Sequence, residues 1–344
     1  MLLTSQAMSR SFAERNRFGR VGRIPTPTPL GVGDINCYLL FPPDGSPSRG
    51  LTLIDTGVKT PQAFEALRHG AKEFGVALEQ IERIFVTHAH MDHFGQASRL
   101  RELSGAHVYA SRTEAELMRT HFSPSGDRRD FVRDTFRRWG VPEAILGRES
   151  PTLELARRIQ DPIQVDGVLD DGDRIAVHDL RLEVIATPGH CHGHVVFFEP
   201  ELALLFSGDH LLTDISPVPL LVFPERASDP RPRSLVRFMD SLARVEPLEC
   251  ELVFPAHGDV IRDHRKLIAG YRLHHERRKL QMLRHLRSGP ASAWQLAQRL
   301  FPSACETQTY LVMSEVIGHL DLLIDEGSVT LEERAGVELA RPAA

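Results

Sequence analysis

The stretch I-F-V-T-H-A-H-M-D-H, residues 84–93, decides how this chain of 344 residues is read. Its first three residues are apolar and read as a short buried strand that runs out at His88. Alternate residues of an extended segment project to the same side, so His88 and His90 can serve one metal ion. Asp92 and His93 fall where the chain turns into a helix, which aims them at a second ion nearby. Imidazoles mixed with a carboxylate suit zinc, iron or manganese better than calcium or magnesium. An ordinary polar surface loop does not account for three histidines and an aspartate packed into residues 88–93.

Working outward, three more apolar runs end on groups that can bind a metal. L-E-V-I-A-T-P-G-H ends at His190, L-A-L-L-F-S-G-D at Asp209, and E-L-V-F-P-A-H-G passes through His257. Each places its side chain just past a strand, beside a glycine that permits a tight turn. Any one of them alone reads as a turn residue. Their coincidence with residues 88–93 carries the argument.

HAHMDH, TPGH, GD and PAHG, in this order, resemble the metallo-β-lactamase superfamily across roughly residues 20–270. The resemblance implies an α/β fold, an αββα sandwich with a binuclear site at one edge. It also implies that His88, His90 and His190 hold the first ion and that Asp92, His93 and His257 hold the second. Asp209 then bridges the two together with a hydroxide that acts as nucleophile, since a bound metal lowers the pKa of water. Asp92 is the candidate catalytic residue, orienting that hydroxide or protonating the leaving group. Asp55, in L-I-D-T-G, matches a position that supports a metal-bound histidine from behind. By the same resemblance only the first histidine of G-H-C-H-G-H binds metal; His192 and His194 do not, and His194 packs beneath the site. His210 is expected in the pocket wall, and His274 and His275 in a solvated helix face.

Composition fits this reading. Histidine stands out at 17 residues against 4 Tyr and 2 Trp, and the net charge is −5. That balance gives no global footprint for nucleic acid or an anionic membrane, and no apolar run reaches the 18 residues a spanning helix needs. The four cysteines, Cys37, Cys191, Cys250 and Cys305, form no CxxC pair. They suit reduced thiols and a cytoplasmic location. Residues 1–20 lack the apolar core of a signal peptide and read as a loosely packed leader.

Strands are expected at Ile35–Phe41, Leu51–Ile54, Ile84–Val86, Arg174–Val177, Arg181–Ile185, Val195–Phe198, Leu202–Phe206 and Leu252–Phe254. Residues 21–270 form the metallo-β-lactamase domain. Within it the arginine-rich segment 111–160, with helical patterns at 113–121, 127–139 and 151–159, is expected as a helical lid. Arg129, Arg133 and Arg137 share one face of its middle helix, either meeting an anionic substrate or paired to Asp127, Asp130 and Asp134. Residues 271–344 read as three helices and a small hairpin, a winged-helix-like domain. From residue 272 onward it holds 9 Lys+Arg and 9 Asp+Glu. The presumed recognition helix, 306–326, carries Glu306, Glu315, Asp321, Asp325 and Glu326 and no cation, which argues against nucleic acid. The tail is therefore expected to pack, to support the lid or to form a homodimer surface.

The superfamily hosts many chemistries on one metal core, so the fold does not choose among them. The apolar loop H-L-L-T-D-I-S-P-V-P-L-L-V-F-P, 210–224, is expected to line the pocket and to favour a small-molecule acyl substrate. The leading expectation is a binuclear hydrolase of an acyl thioester or ester using two divalent ions, zinc first, with iron or manganese as alternatives. An endoribonuclease or phosphodiesterase, a lactonase, and a mono-iron persulfide dioxygenase remain the other readings.

Overall fold

The computed structural model describes residues 11–43, 50–120, 126–147, 151–214, 217–224 and 228–343. Two mixed sheets face each other. The first comprises Arg17–Phe18 (β1), Val21–Thr26 (β2), Ile35–Leu40 (β3), Leu51–Ile54 (β4), Ile81–Phe85 (β5), His107–Ser111 (β6) and Gly167–Leu169 (β7), in that spatial order. Its pairings are antiparallel as far as β4 and parallel from β4 to β7. The second comprises Arg174–Val177 (β8), Leu180–Ala186 (β9), Val195–Glu199 (β10), Leu204–Gly208 (β11) and Leu252–Pro255 (β12), ordered β12-β11-β10-β9-β8. Only β11 and β12 pair in parallel there.

The start of the chain departs from expectation. Within the presumed leader, Phe12–Asn16 form a helix (α1) closed by a capping box between Ser11 and Glu14. Strand β1 then pairs with β2, so residues 11–18 are part of the sandwich. Strand β2 itself was hidden by Pro25, which has no ladder N–H to give. At Pro25 the strand is an edge, because β1 reaches only Val21 and Gly22, and an edge tolerates proline.

The period of two along the strands builds the layers. On β3, Cys37 and Leu39 join a core with Leu67 and Ala71 of Pro61–Glu73 (α2). Their neighbours Tyr38 and Leu40 turn the other way, to Val184, Phe197 and Phe206 of the second sheet. Strand β10 repeats the division: Val195 and Phe197 face the first sheet, while Val196 and Phe198 meet Leu235, Phe238 and Leu242 of an outer helix. Helix, sheet, sheet, helix is the result, an αββα sandwich.

Met91–Phe94 (α3) and Ala97–Ser104 (α4) follow β5. The segment expected as a lid supplies Arg112–Thr120 (α5), Gly126–Arg138 (α6), Glu143–Leu146 (α7) and Pro151–Ile159 (α8). Its described parts act as braces. Ile159 of α8 packs with Val58 and Met91 beneath α3, whereas Phe136 of α6 and the following Trp139 pack into the C-terminal core. Arg133 and Arg137 are both paired to Glu143, and Arg137 also to Asp134. These pairings of Arg133 and Arg137 thus favour the structural reading of that ridge over a substrate-facing one. The side chain of Asp127 lies outside the described residues.

Ser234–Val245 (α9) covers the second sheet. His264–Leu286 (α10) is one helix of 23 residues. Its first half, with Ile268 and Tyr271, belongs to the sandwich, and its second half, with Met282 and Leu286, to the C-terminal core. The domain boundary drawn at 270/271 therefore falls inside a continuous helix. Beyond it come Ala291–Ser292 (β13), Ala293–Leu300 (α11), Thr309–Asp325 (α12), Val329–Arg334 (β14) and Val337–Pro342 (β15), with the sheet order β13-β15-β14. Helix α12 is buried nearly all round, at Val312, Met313, Ser314, Val316, Ile317, Gly318, His319, Leu320 and Leu323. Its more open positions are Tyr310, Leu311 and Asp325.

The loop 210–224 also differs from expectation. Leu211 is in the core under α9, and Leu221 and Phe223 are in the C-terminal core. Packing thus accounts for Leu211, Leu221 and Phe223. Among the described residues no helix is long and apolar enough to cross a membrane, and all four cysteines are free thiols.

Candidate metal centre

Five strand ends or turns meet at one edge of the sandwich. His88 and His90 follow β5, Asp92 and His93 ride on α3, His190 follows β9, Asp209 follows β11 and His257 follows β12. Two glycines make the approach possible. A Cβ on Gly189 would lie 2.5 Å from the Phe238 Cα, and one on Gly208 would lie 2.8 Å from the His194 ring and 3.0 Å from Thr87. Both have positive φ, 152° and 50°, which glycine adopts without strain.

The seven expected residues form two groups of potential ligand atoms, His88, His90, His190 and Asp209 in one and Asp92, His93 and His257 in the other. In the first, His90 Nδ1 lies 2.8 Å from His88 Nε2 and 3.0 Å from His190 Nε2. In the second, His257 Nε2 lies 3.4 Å from Asp92 Oδ2, and His93 Nε2 lies 3.9 Å from Asp92 Oδ1. The Asp209 carboxylate stands between them. Its Oδ2 is 3.3 Å from His190 Nε2 and 4.0 Å from His88 Nε2. Its Oδ1 is 3.6 Å from both His93 Nε2 and His257 Nε2.

Hydrogen bonds behind the rings fix which nitrogen faces inward. His190 Nδ1 donates to the Val218 carbonyl at 3.0 Å and His257 Nδ1 to the Asp34 carbonyl at 2.8 Å. A carbonyl only accepts, so the proton sits on Nδ1 and the Nε2 lone pair points into the site. His93 Nδ1 donates to Asp55 Oδ2 at 2.8 Å. Thr87 Oγ1 gives its proton to the same oxygen at 2.9 Å and accepts from His88 Nδ1 at 3.1 Å. Asp55 holds this arrangement from a left-handed backbone, φ 56°, a conformation that carries strain in a residue with a side chain.

The donor set fits divalent cations. His93 Nε2, His257 Nε2 and Asp209 Oδ1 are buried with no hydrogen-bond partner, and buried polar atoms are costly when left unpaired. In the first group three ring nitrogens converge with two of their protons committed elsewhere. Burial lowers the pKa of His88 and His190 and takes His90 down to about 3, which keeps these imidazoles in the neutral, ligating form. Burial pushes the Asp209 carboxyl up, but His93 and His257 outweigh it and hold it well below the usual range. Burial pushes Asp92 up as well, and His93 and His257 again bring the net shift downward. For His93 burial acts downward, yet Asp55, Asp209 and Asp92 together raise its pKa well above the ordinary value. The second group therefore attracts positive charge even before a metal arrives.

The neighbouring histidines sort as follows. His192 Nδ1 accepts from Arg237 at 2.9 Å and joins neither group. His194 lies beneath the site, where its Nε2 accepts from the Asp209 N–H at 3.2 Å and its Nδ1 meets Thr187 Oγ1 at 2.8 Å. His210 is fully buried with its ring 5.2 Å from that of Phe238, so it is core rather than pocket wall. His275 is likewise buried, bonded to His319 at 3.1 Å, because the face expected to be solvated packs on α12; His274 stays partly exposed beside Glu315.

One residue escaped the sequence reading altogether. Glu114, in the first turn of α5, is 1% exposed. Its Oε2 accepts from Ala89 N at 2.8 Å and its Oε1 from Gly193 N at 2.7 Å. It ties the loop of His88 and His90 to the loop of His190. Its sequence signal is faint, an acid three residues past β6, and that strand was itself not foreseen. The carbonyls of Asp34 and Val218 carry no side-chain signal at all.

The profile of the metallo-beta-lactamase superfamily matches residues 30–257. A probable metallo-hydrolase of Bacillus subtilis is 31% identical over 324 residues, covering 89% of this chain and 93% of that protein. A metallo-beta-lactamase family protein from Thermus thermophilus has a crystal structure that superposes with a TM-score of 0.77 at 29% identity, covering 94% of this chain and 99% of the other. A hydroxyacylglutathione hydrolase of Pseudomonas putida is 33% identical over 130 residues, 37% of this chain and 32% of that enzyme.

Proposed function

The chain belongs to the metallo-β-lactamase superfamily, and from that premise we propose that it hydrolyses an acyl thioester or ester of a small molecule with two zinc ions. The observation that carries the two-ion reading is the Asp209 carboxylate, which turns one oxygen toward each group of ligand atoms. His88, His90 and His190 would hold one ion, Asp92, His93 and His257 the other, and Asp209 would bridge. When bound, such ions supply Lewis acidity and bring the pKa of water toward neutrality.

The protein's own groups divide the remaining work. Asp92, ionised at neutral pH, turns Oδ2 toward His257. Its Oδ1 can take a proton from an attacking water and return it to the leaving thiolate or alkoxide. Asp55, Thr87 and the Val218 and Asp34 carbonyls keep four imidazoles in fixed tautomers, so that little rearrangement accompanies the reaction. Glu114 holds the two histidine loops at a constant spacing.

Two observations support an acyl substrate over a polyanion. A relative 33% identical over 130 residues is a hydroxyacylglutathione hydrolase, whose name denotes an acylated glutathione as substrate. The C-terminal segment, which we read as winged-helix-like, buries its longest apolar helix and has balanced charge, against the cationic surface that phosphate backbones require. Reduced thiols at all four cysteines agree with a cytoplasmic setting.

A direct comparison tests this. Acyl-coenzyme A, acylglutathione, aryl esters, a lactone and single-stranded RNA are offered to zinc-loaded protein at two salt concentrations, with metal analysis of the same samples. Turnover of an acyl substrate with inert RNA is the expected result. RNA cleavage with steep salt dependence and inert acyl substrates would overturn the substrate, and one iron per chain with sulfite formation from persulfide would overturn the reaction.

A further inference from the structure

We propose that α12 of the C-terminal segment positions the metal ligand His190, with Ser314 and Tyr310 as the positioning residues; this rests on the two-ion reading above. The chain of contacts is short. The loop 217–224 holds His190 from two sides, since the Val218 carbonyl accepts from the ring Nδ1 at 3.0 Å and the Leu220 N–H donates to the His190 carbonyl at 3.1 Å. The next residue, Leu221, is gripped by α12. Its N–H donates to Ser314 Oγ at 3.0 Å, and its carbonyl accepts from the Tyr310 hydroxyl. Ser314 is itself held, donating to the Tyr310 carbonyl one turn back at 2.8 Å.

A further anchor of the loop comes from the other side, where Ser234 Oγ of α9 donates to the Leu220 carbonyl at 2.6 Å. Leu221 and Phe223 have their side chains in the C-terminal core, so the loop has no regular structure of its own and borrows its shape from α9 and α12. A loop of this kind owes its position to the groups that satisfy its backbone. Of the histidines in the first group, His190 is the one whose described Nδ1 partner lies on that loop. His88 leans on Thr87, within its own strand end. His257, which would serve the second ion, leans on Asp34, just before β3 and outside that loop. The C-terminal segment thus acts on one ion and not on the other.

The test uses full-length Ser314→Ala and Tyr310→Phe, loaded with cobalt so that each ion is followed by absorption during stepwise chelation. His190→Ala and His257→Ala identify which step belongs to which ion. Direct support of a ligand is worth about 10–100-fold in metal affinity, so a support one residue further removed should weaken the His190 ion by roughly threefold to tenfold. The other ion should be unchanged in both variants. Equal weakening of both ions, or no change in either, would overturn the proposal. Native protein that fails to take up two ions would remove the two-ion reading, and this proposal with it.

Discussion

At the scale of single residues the site is a set of lone pairs aimed by what lies behind them, and that makes its failures selective. Asp209→Asn keeps the shape but loses the charge that faces both groups, and should leave fewer than two ions bound after dialysis, counted by metal analysis. Asp55→Asn should weaken the ion held by His93 by about 10–100-fold, read by chelator competition, because the carboxylate that accepts from His93 Nδ1 is gone. Gly189→Ala forces a Cβ to 2.5 Å from the Phe238 backbone. It should cost about 1–3 kcal/mol of stability in a thermal melt and displace His190 as well. The seven ligand candidates stood out because histidine and aspartate just past apolar strands, or in the turn from β5 into α3, are conspicuous against apolar runs. Glu114, Thr87 and the two carbonyls were not. Their roles depend on which loops come together in space, and local spacing does not encode that.

At the scale of elements, the strands with uninterrupted apolar runs were readable, and those that were missed broke a local rule. Strand β2 contains Pro25, and β6 begins with an exposed histidine. Helix α6 shows that periodicity alone leaves purpose open. The regular arginines were open to a substrate-facing ridge or a paired face, and Arg133 and Arg137 meet Glu143 from the next helix. Arg133→Ala should therefore leave KM for an anionic acyl substrate unchanged in steady-state kinetics. The packing of α10 on α12 has a pH signature. Burial, followed by His319 nearby, takes the His275 pKa down to about 3, so the folded state keeps this ring neutral while the unfolded chain protonates it near 6.5. Its contribution is complete above the unfolded value and is lost as pH falls from about 6.5 toward 3. Urea melts of His275→Gln should show a shallower fall in stability over that interval than the native protein.

At the scale of the whole molecule, the sandwich was legible from its motifs, while the boundary drawn between sandwich and tail falls inside one helix whose buried stripe, from His264 through Ile268, Tyr271, His275 and Met282 to Leu286, runs across it. Helix α10 leaves no linker at residue 270. Gly270 sits at that seam, exposed, and a Cβ there would meet nothing within 4 Å. Gly270→Ala should stabilise the protein by about 0.5–1 kcal/mol in chemical denaturation, the usual gain of alanine over glycine inside a helix. The unbroken helix has a mechanical consequence. A girder shared by two parts, fastened at both ends, allows neither to swing against the other. Nitrogen-15 relaxation should therefore return one common rotational correlation time for the amides of the sandwich and of α11 and α12. A force applied to the tail would be felt at the metal edge as tilt rather than absorbed by slack.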